Sequence, residues 1–243
     1  MRRRSFIEIS SLLPLALAII PNYVFSAPKI SWQELIGKGN PELFGDGYKL
    51  RKEAYDSFLK MKESALKDGI DIQVVSGYRD FYHQRRIWNR KYKLFTQQGL
   101  SEEETIEKII EYSTIPGTSR HHWGTDLDII DGNSKQPKKV LLTRHFEENG
   151  PYFKLKNWMD EHANSFGFYL VYTNSDHRKG FKYEPWHYSF KPLSKVYLNE
   201  FLEIDILEQI KNENILGFDH FSKNFIGNYL NNNILDINPE LLP

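Results

Sequence analysis

The sequence contains no cysteine among its 243 residues. This absence excludes disulfide frameworks, iron–sulfur clusters, thiolate zinc sites and cysteine nucleophiles, so any bound metal must be held by histidine, aspartate or glutamate. An excess of one charge is also absent, because 32 basic residues balance 32 acidic ones. The balance excludes a bulk cationic nucleic-acid binder, and we expect no nucleic-acid partner.

The composition is typical of a folded protein with a substantial core. Apolar residues make up 40% of the chain, aromatic residues 14% and charged residues 26%. We find neither an internal repeat nor a linker rich in glycine, serine and proline after the N-terminal segment. These features predict one main domain of roughly 200 residues.

The N-terminal segment has the layout of a secretory signal. Arginines at residues 2–4 precede an apolar stretch at residues 9–20 and small residues at Ser26 and Ala27. We predict a signal peptide over residues 1–26 and export to the periplasm or cell envelope.

The export signal leaves two alternatives open. The apolar stretch is shorter than the about 20 residues that a spanning helix needs, so we expect no stable membrane span after cleavage. An uncleaved anchor that runs on to Phe25 stays an alternative. Residues 3–7 also resemble a twin-arginine signal, so both export routes remain open.

Helical and strand patterns alternate irregularly through the rest of the chain. Apolar spacing predicts helices over residues 50–67, 81–95, 101–110 and around 158, and short β-prone runs at 72–75, 125–130, 168–172 and 183–190. No regular βαβ repeat appears. We therefore predict an α+β fold with a small, mostly antiparallel sheet flanked by helices.

The last fifty residues differ in character from the rest. Amphipathic spacing beyond Pro192 predicts two helices, the first of them after a Ser194 cap. We predict that residues 193–243 form a C-terminal helical extension packed on the domain.

Two segments bring histidines and carboxylates together. Residues 119–128 read Ser-Arg-His-His-Trp-Gly-Thr-Asp-Leu-Asp, and residues 184–187 read Glu-Pro-Trp-His. A strand that begins near Thr125 would place Asp126 and Asp128 on one face, where a carboxylate can point at a preceding histidine. Pro185 would start a strand or mark a bulge and so let both ends of the second segment approach one site. Two imidazoles and one carboxylate suit catalytic zinc, and a nearby glutamate suits a general base.

These segments resemble the signature of the VanY-type zinc D-alanyl-D-alanine carboxypeptidases, a group that includes L,D-carboxypeptidases and phage endolysin peptidases. That signature is S-x-H-x-x-G-x-A-x-D followed by E-P-W-H. Ser119, His121, Gly124 and Asp128 match the first motif, and residues 184–187 match the second. The resemblance covers residues 49–190.

The resemblance implies a zinc cofactor, a fold of the zinc DD-carboxypeptidase/hedgehog type and a peptidase domain over residues 27–192. The implied zinc ligands are His121, Asp128 and His187, and the implied catalytic base is Glu184. The implied reaction is hydrolysis of the terminal D-alanine of peptidoglycan stem peptides.

A further segment resembles the family's substrate-binding region. Its arginine can pair bidentately with a free C-terminal carboxylate, and the neighbouring polar groups can add hydrogen bonds. The predicted substrate-binding residues are Ser76, Tyr78, Arg79, Gln84 and Ser119.

One position departs from the pattern, because Asp126 stands where the family usually has alanine. Asp126 is therefore an alternative ligand, although we keep Asp128. Alternative functions are an L,D-carboxypeptidase or a peptidoglycan endopeptidase that uses the same zinc site. A non-catalytic zinc-bearing cell-wall binding module is a third, against which Glu184 argues because a binder needs no base.

Overall fold

A four-stranded antiparallel sheet forms the centre of the protein. The computed structural model describes residues 30–243, so the predicted signal peptide lies outside the described residues. The strands, in the spatial order β1-β2-β4-β3, are β1 (Ile72–Ser76), β2 (Asp126–Asp131), β3 (Phe168–Leu170) and β4 (His187–Phe190). Every neighbouring pair is antiparallel.

Helices surround the sheet, which confirms the predicted α+β class. The described residues contain α1 (Trp32–Leu35), α2 (Lys52–Lys67), α3 (Phe81–Gln97), α4 (Glu102–Ile110), α5 (Phe153–His162), α6 (Lys191–Leu202), α7 (Ile206–Ile210) and α8 (Lys223–Tyr229). A capping box begins α4, since the side chains of Ser101 and Glu104 each accept a hydrogen bond from the other residue's backbone N–H. No helix of this described part is long and apolar enough to span a bilayer.

The two faces of the sheet differ in chemistry. Side chains alternate along β2 and β4 because successive residues of a strand point to opposite faces. One face packs against α2 and α5 through Leu127, Ile129, Tyr188 and Phe190. The other carries buried polar side chains, namely Asp126, Asp128, His187 and Ser189.

The predicted second motif and C-terminal region need two corrections. The predicted strand 183–190 begins only at His187, because a turn closed by the His187 N–H donating to Glu184 O at 3.1 Å precedes it. Ser194 is buried inside α6 and does not cap it. The helix begins at Lys191 instead, with Pro192 in its first turn, where its fixed φ and missing N–H are tolerated.

The C-terminal residues hold the chain that leads to the second motif. The Asp236 carboxylate accepts hydrogen bonds from the backbone N–H groups of Lys179 at 2.7 Å and Gly180 at 2.8 Å. The Asn238 backbone N–H donates to Val171 O at 2.9 Å. Residues 171–180 are therefore fastened by the C-terminal segment before the chain reaches Glu184.

A glycine substitution tests this attachment. A Cβ on Gly180 would lie 1.9 Å from Asn232 O, so Gly180→Ala should lower the free energy of unfolding by about 1–3 kcal/mol. Gly227 in α8 has open space around its Cβ position, so Gly227→Ala should be neutral or stabilising. Thermal denaturation checks both, and equal melting temperatures for the two variants would contradict the prediction.

Candidate active site

A short 3-10 helix, Arg120–Trp123, positions the first histidine. The Ser119 hydroxyl begins this helix by accepting the His121 N–H at 3.3 Å, and Gly124, in the left-handed conformation at φ 70°, ends it and turns the chain into β2. His121 Nδ1 lies 2.8 Å from Gly77 O, which can only accept, so Nδ1 carries the proton. The lone pair of Nε2 therefore faces the polar side of the sheet.

The sheet register brings the other two predicted ligands together. Asp128 on β2 lies opposite His187 on β4. His121 Nε2 lies 3.4 Å from Asp128 Oδ2, and His187 Nδ1 lies 3.7 Å from Asp128 Oδ1. One ligand atom from each of the three residues lies within 4.8 Å of the others.

These residues fit a metal ion. Each side chain is at least nine-tenths buried, and the buried oxygen Asp128 Oδ1 has no hydrogen-bond partner among residues 30–243. An unpaired buried carboxylate oxygen is costly, and a cation between it and the two imidazoles would satisfy it. Two histidines and one carboxylate form a three-residue set typical of catalytic zinc.

Asp126 does not act as an alternative ligand in this structure. Its Oδ1 lies 3.0 Å from Nε2 of His187, on the side of the ring that points away from the ligand cluster. Asp126 thus contacts the metal site only through His187.

The buried charges shift each other's pKa. Burial disfavours the imidazolium form of His187, but the hydrogen bonds to Asp126 and Glu184 outweigh it and raise its pKa to about 10. Burial alone would raise the pKa of Asp128, and the neighbouring histidines lower it instead. A cation on His187 Nδ1 must therefore displace a proton.

Glu184 lies beside the cluster without joining it. Its Oε2 is 3.2 Å from His187 Nδ1. Burial raises the pKa of Glu184 above its usual value, and the hydrogen bond to His187 only partly opposes this. A raised pKa makes the carboxylate a stronger base than that of an ordinary glutamate, which suits a general acid–base catalyst.

A cavity of about 350 Å³ opens onto these groups. It is lined by Arg79, Tyr112, Ser113, Thr114, Ser119, Arg120, His121, Asp128, Leu141, Leu142, Thr143, Tyr172, Phe181, Glu184, Trp186 and His187. The cavity therefore unites the predicted ligands, the predicted base and two of the predicted substrate-binding residues.

Gln84 and Ser76 hold Arg79 and do not line the cavity. Arg79 Nη1 donates to Gln84 Oε1 at 2.5 Å, and Nη2 donates to Ser76 Oγ at 3.2 Å. Gln84 is itself fixed, because its amide nitrogen donates to Thr114 O at 2.8 Å. Each terminal nitrogen of Arg79 keeps a second N–H for another acceptor.

Tyr78 lies outside the cavity, so its role in substrate binding stays a prediction. The backbone N–H of Tyr78 donates to Lys49 O at 2.7 Å, whereas that of Arg79 donates to His121 O at 3.1 Å, so the two residues are held by different parts of the chain. The charges that act on the Tyr78 phenol come from Asp80, Arg51 and Glu34, and none of these residues lines the cavity.

His122, adjacent to the first predicted ligand, has a structural role. Its Nδ1 donates to Arg79 O at 2.6 Å, and its Nε2 accepts the Gly117 N–H at 3.2 Å. Burial lowers its pKa to about 3, so the ring is neutral. His122 therefore holds the backbone of Arg79 in place.

One wall of the cavity consists of residues that the sequence did not predict as part of the site. Tyr112, Ser113 and Thr114 follow α4 and precede the break in the helical pattern at residues 116–117, and residues 141–143 lie between β2 and α5, where Thr143 begins a short 3-10 helix. None of them belongs to a motif or a periodic pattern. The polar run at residues 111–114 is the one sequence feature that marks this wall.

Comparison with known proteins identifies relatives of this arrangement. The family model described as VanY, D-alanyl-D-alanine carboxypeptidase, matches residues 47–193. An uncharacterised protein of Haemophilus influenzae is 36% identical over 107 residues, which cover 43% of this chain and 82% of the relative. Several other curated relatives are matched over only about half of their own length.

Two crystal structures share the fold. One is a VanY D,D-pentapeptidase from a VanB-type resistance cassette in complex with Zn(II), with a TM-score of 0.51, 23% identity and coverage of 68% of this chain and 90% of that one. The other is VanYB in complex with D-alanine-D-alanine, with a TM-score of 0.52, 22% identity and coverage of 72% and 91%. At these identities the likeness shows the fold.

A ligand substitution tests the metal site. Wild-type protein equilibrated with zinc and then desalted should retain about one ion per chain, and His187→Ala should lose most of it because two ligands cannot complete the set. His177→Ala, which alters an exposed histidine outside the cluster, should retain the ion. Metal analysis of the three proteins checks this, and full zinc retention by His187→Ala would contradict it.

Proposed function

The chain belongs to the VanY D-alanyl-D-alanine carboxypeptidase family, and from this premise we propose that it is a zinc-dependent enzyme that removes the terminal D-alanine from peptidoglycan stem peptides. The related D,D-pentapeptidase binds Zn(II), and the related VanYB binds D-alanine-D-alanine. Export, as the N-terminal segment predicts, would bring the protein to that substrate.

One observation carries the proposal. The buried cluster of His121, Asp128 and His187 includes an unpartnered carboxylate oxygen, and it shares a cavity with a buried glutamate and an arginine. A carboxypeptidase needs this combination, because the metal site and base act on the scissile bond while the cation binds the terminal carboxylate. A metal-binding module without catalysis needs no base beside its ligands.

Zinc held by His121, Asp128 and His187 would act as a Lewis acid, which polarises the scissile carbonyl and lowers the pKa of a water molecule. Glu184 supplies the proton transfers. Its carboxylate accepts a proton from the attacking water and then returns it to the departing amine. The raised pKa of Glu184 favours the first of these transfers, because it makes the carboxylate a stronger base than that of an ordinary glutamate.

Arg79 supplies the recognition of a free C-terminus. Its guanidinium lines the cavity, and hydrogen bonds to Gln84 and Ser76, which do not line the cavity, fix the plane of the group. The remaining N–H groups can form a bidentate pair with a carboxylate, and their fixed direction orients the last peptide bond of the substrate.

Defined stem peptides test the substrate class. Zinc-loaded protein should release D-alanine from a pentapeptide stem that ends in D-alanyl-D-alanine, and mass spectrometry should show the tetrapeptide product. Release of D-alanine from the tetrapeptide alone would indicate an L,D-carboxypeptidase. Cleavage of a cross-link would indicate an endopeptidase, and zinc binding without any product would indicate a binding module.

Substitution of the base should separate catalysis from metal binding. Glu184→Gln keeps the shape of the side chain but cannot accept the proton, so activity should fall by about 10²–10⁴-fold while the zinc content stays near one per chain. Glu147→Gln is a suitable control because Glu147 is exposed and lies outside the cavity. Steady-state rates and metal analysis check both variants, and near-normal turnover by Glu184→Gln would contradict the assignment.

Substitution of the arginine should reveal what it binds. Loss of a charge-assisted bidentate contact costs about 1.5–3 kcal/mol, so Arg79→Ala should lower kcat/KM by about one to two powers of ten. Arg79→Lys should recover only part of the lost kcat/KM, because lysine keeps the charge but cannot form the bidentate pair. Arg85→Ala is the control, since Arg85 is a nearby arginine on α3 that lies outside the cavity.

The substrate offers the complementary test. Amidation of the peptide C-terminus removes the carboxylate, so the wild type should reject the amide, and Arg79→Ala should discriminate far less between acid and amide. Equal cleavage of both peptides by the wild type would exclude Arg79 as a carboxylate anchor and would favour the endopeptidase.

A further inference from the structure

Asp126 is a fully buried carboxylate whose two oxygens are both occupied. Oδ1 accepts from His187 Nε2 at 3.0 Å and from Arg120 Nε at 2.9 Å. Oδ2 accepts from the hydroxyls of Thr125 at 2.6 Å and Ser189 at 2.8 Å. Four donors from three parts of the chain therefore converge on one side chain, which is held in a single position.

His187 has an acceptor beside each ring nitrogen, and the ring keeps a single proton once one nitrogen binds a cation. Nε2 faces Asp126, while Nδ1 lies 3.2 Å from Glu184 Oε2. If the single proton of the neutral ring were on Nδ1, it would be donated to Glu184. Nδ1, which also faces Asp128, would then have no lone pair free to bind a cation. A carboxylate at Nε2 favours the other tautomer, in which the lone pair of Nδ1 points into the cluster.

Arg120 offsets the charge of Asp126. Its guanidinium is 2% exposed, donates to Ser189 Oγ at 2.8 Å and lies 4.8 Å from the centre of the Trp123 ring. Without this cation, Asp126 would be an uncompensated buried charge near the carboxylates of Asp128 and Glu184. Arg120 thus offsets the electrostatic cost of burying Asp126 next to the cluster.

We propose that Asp126, held by Arg120, is a positioning residue that fixes the ring and tautomer of His187 so that Nδ1 can bind the metal ion. The proposal rests on the proposed function in one respect, since it takes the cation to be zinc. It assigns to Asp126 a role that is exerted through His187 and involves no contact with substrate.

Zinc affinity, measured by competition with a chelator in the absence of substrate, tests the role. Asp126→Asn keeps the shape but weakens the hydrogen bond to His187, so zinc binding should weaken by about 10–100-fold. Asp131→Asn is the matched control, because Asp131 is a buried carboxylate on the same strand whose oxygens accept from Asp71 N, Asn133 N and Ser134 Oγ. The control should bind zinc as the wild type does, whatever stability it loses.

A double variant separates positioning from general stability. Asp126→Asn alone leaves Arg120 as an unpaired buried cation and should lower the melting temperature. Asp126→Asn/Arg120→Gln removes both charges and should regain much of that stability, while zinc binding stays weak because His187 still lacks its carboxylate. Return of zinc affinity together with the melting temperature would overturn the proposal.

The outcomes distinguish this proposal from the proposed function. Unchanged zinc affinity in Asp126→Asn overturns the positioning role even if the enzyme cleaves stem peptides. Weakened zinc binding in both the single and the double variant, with an unaffected Asp131→Asn control, supports the role even if the wild type releases no D-alanine.

Discussion

The antiparallel pairing of β2 with β4 is the interaction on which the site depends. It places Asp128 opposite His187 and Asp126 opposite Ser189, although about sixty residues separate the two strands. Because the side-chain period of a strand is two residues, a slip of β4 by one residue would move His187 and Ser189 to the apolar face and turn Tyr188 towards the cavity. The apolar core beneath the sheet therefore specifies the register and, through it, the metal site.

The fold class and the clustering of two distant motifs could be predicted from the sequence, because residue types with strong geometric demands occur at fixed spacing. Glycine at 124 turns the chain, alternation along β2 directs Asp128, and the missing cysteines leave only histidine and carboxylate ligands. The position of Tyr78 could not be predicted, because residues between the strand end and α3 follow no fixed period. The loop residues around Thr114 could not be predicted either, because a short polar run is as typical of a surface loop as of a cavity wall.

Asp126 shows why a departure from a motif needs the structure for its interpretation. In the sequence it is a second carboxylate near a metal site and hence an alternative ligand. The decisive facts are the register, which places Asp126 two pairs along the strand from the Asp128–His187 pair, and the partner Arg120. Neither fact follows from spacing, because the guanidinium reaches Asp126 from a 3-10 helix whose direction is set by Gly124 and by the packing of Trp123.

The C-terminal segment contributes to the site through the backbone and not through the cavity wall. Tyr229 accepts the Ile115 N–H at 3.1 Å and pairs with the Thr118 hydroxyl at 2.8 Å, which fixes the chain just before His121. Asp236 fastens the chain that approaches Glu184. The loops on both sides of the His121, Asp128 and His187 cluster are thus held by one C-terminal segment, and no residue of that segment belongs to the cluster. Apolar packing adds to these hydrogen bonds, because Ile115, Val171 and Phe181 belong to the same buried core as residues of the C-terminal helices. The extension therefore preorganises the candidate ligands without occupying the cavity.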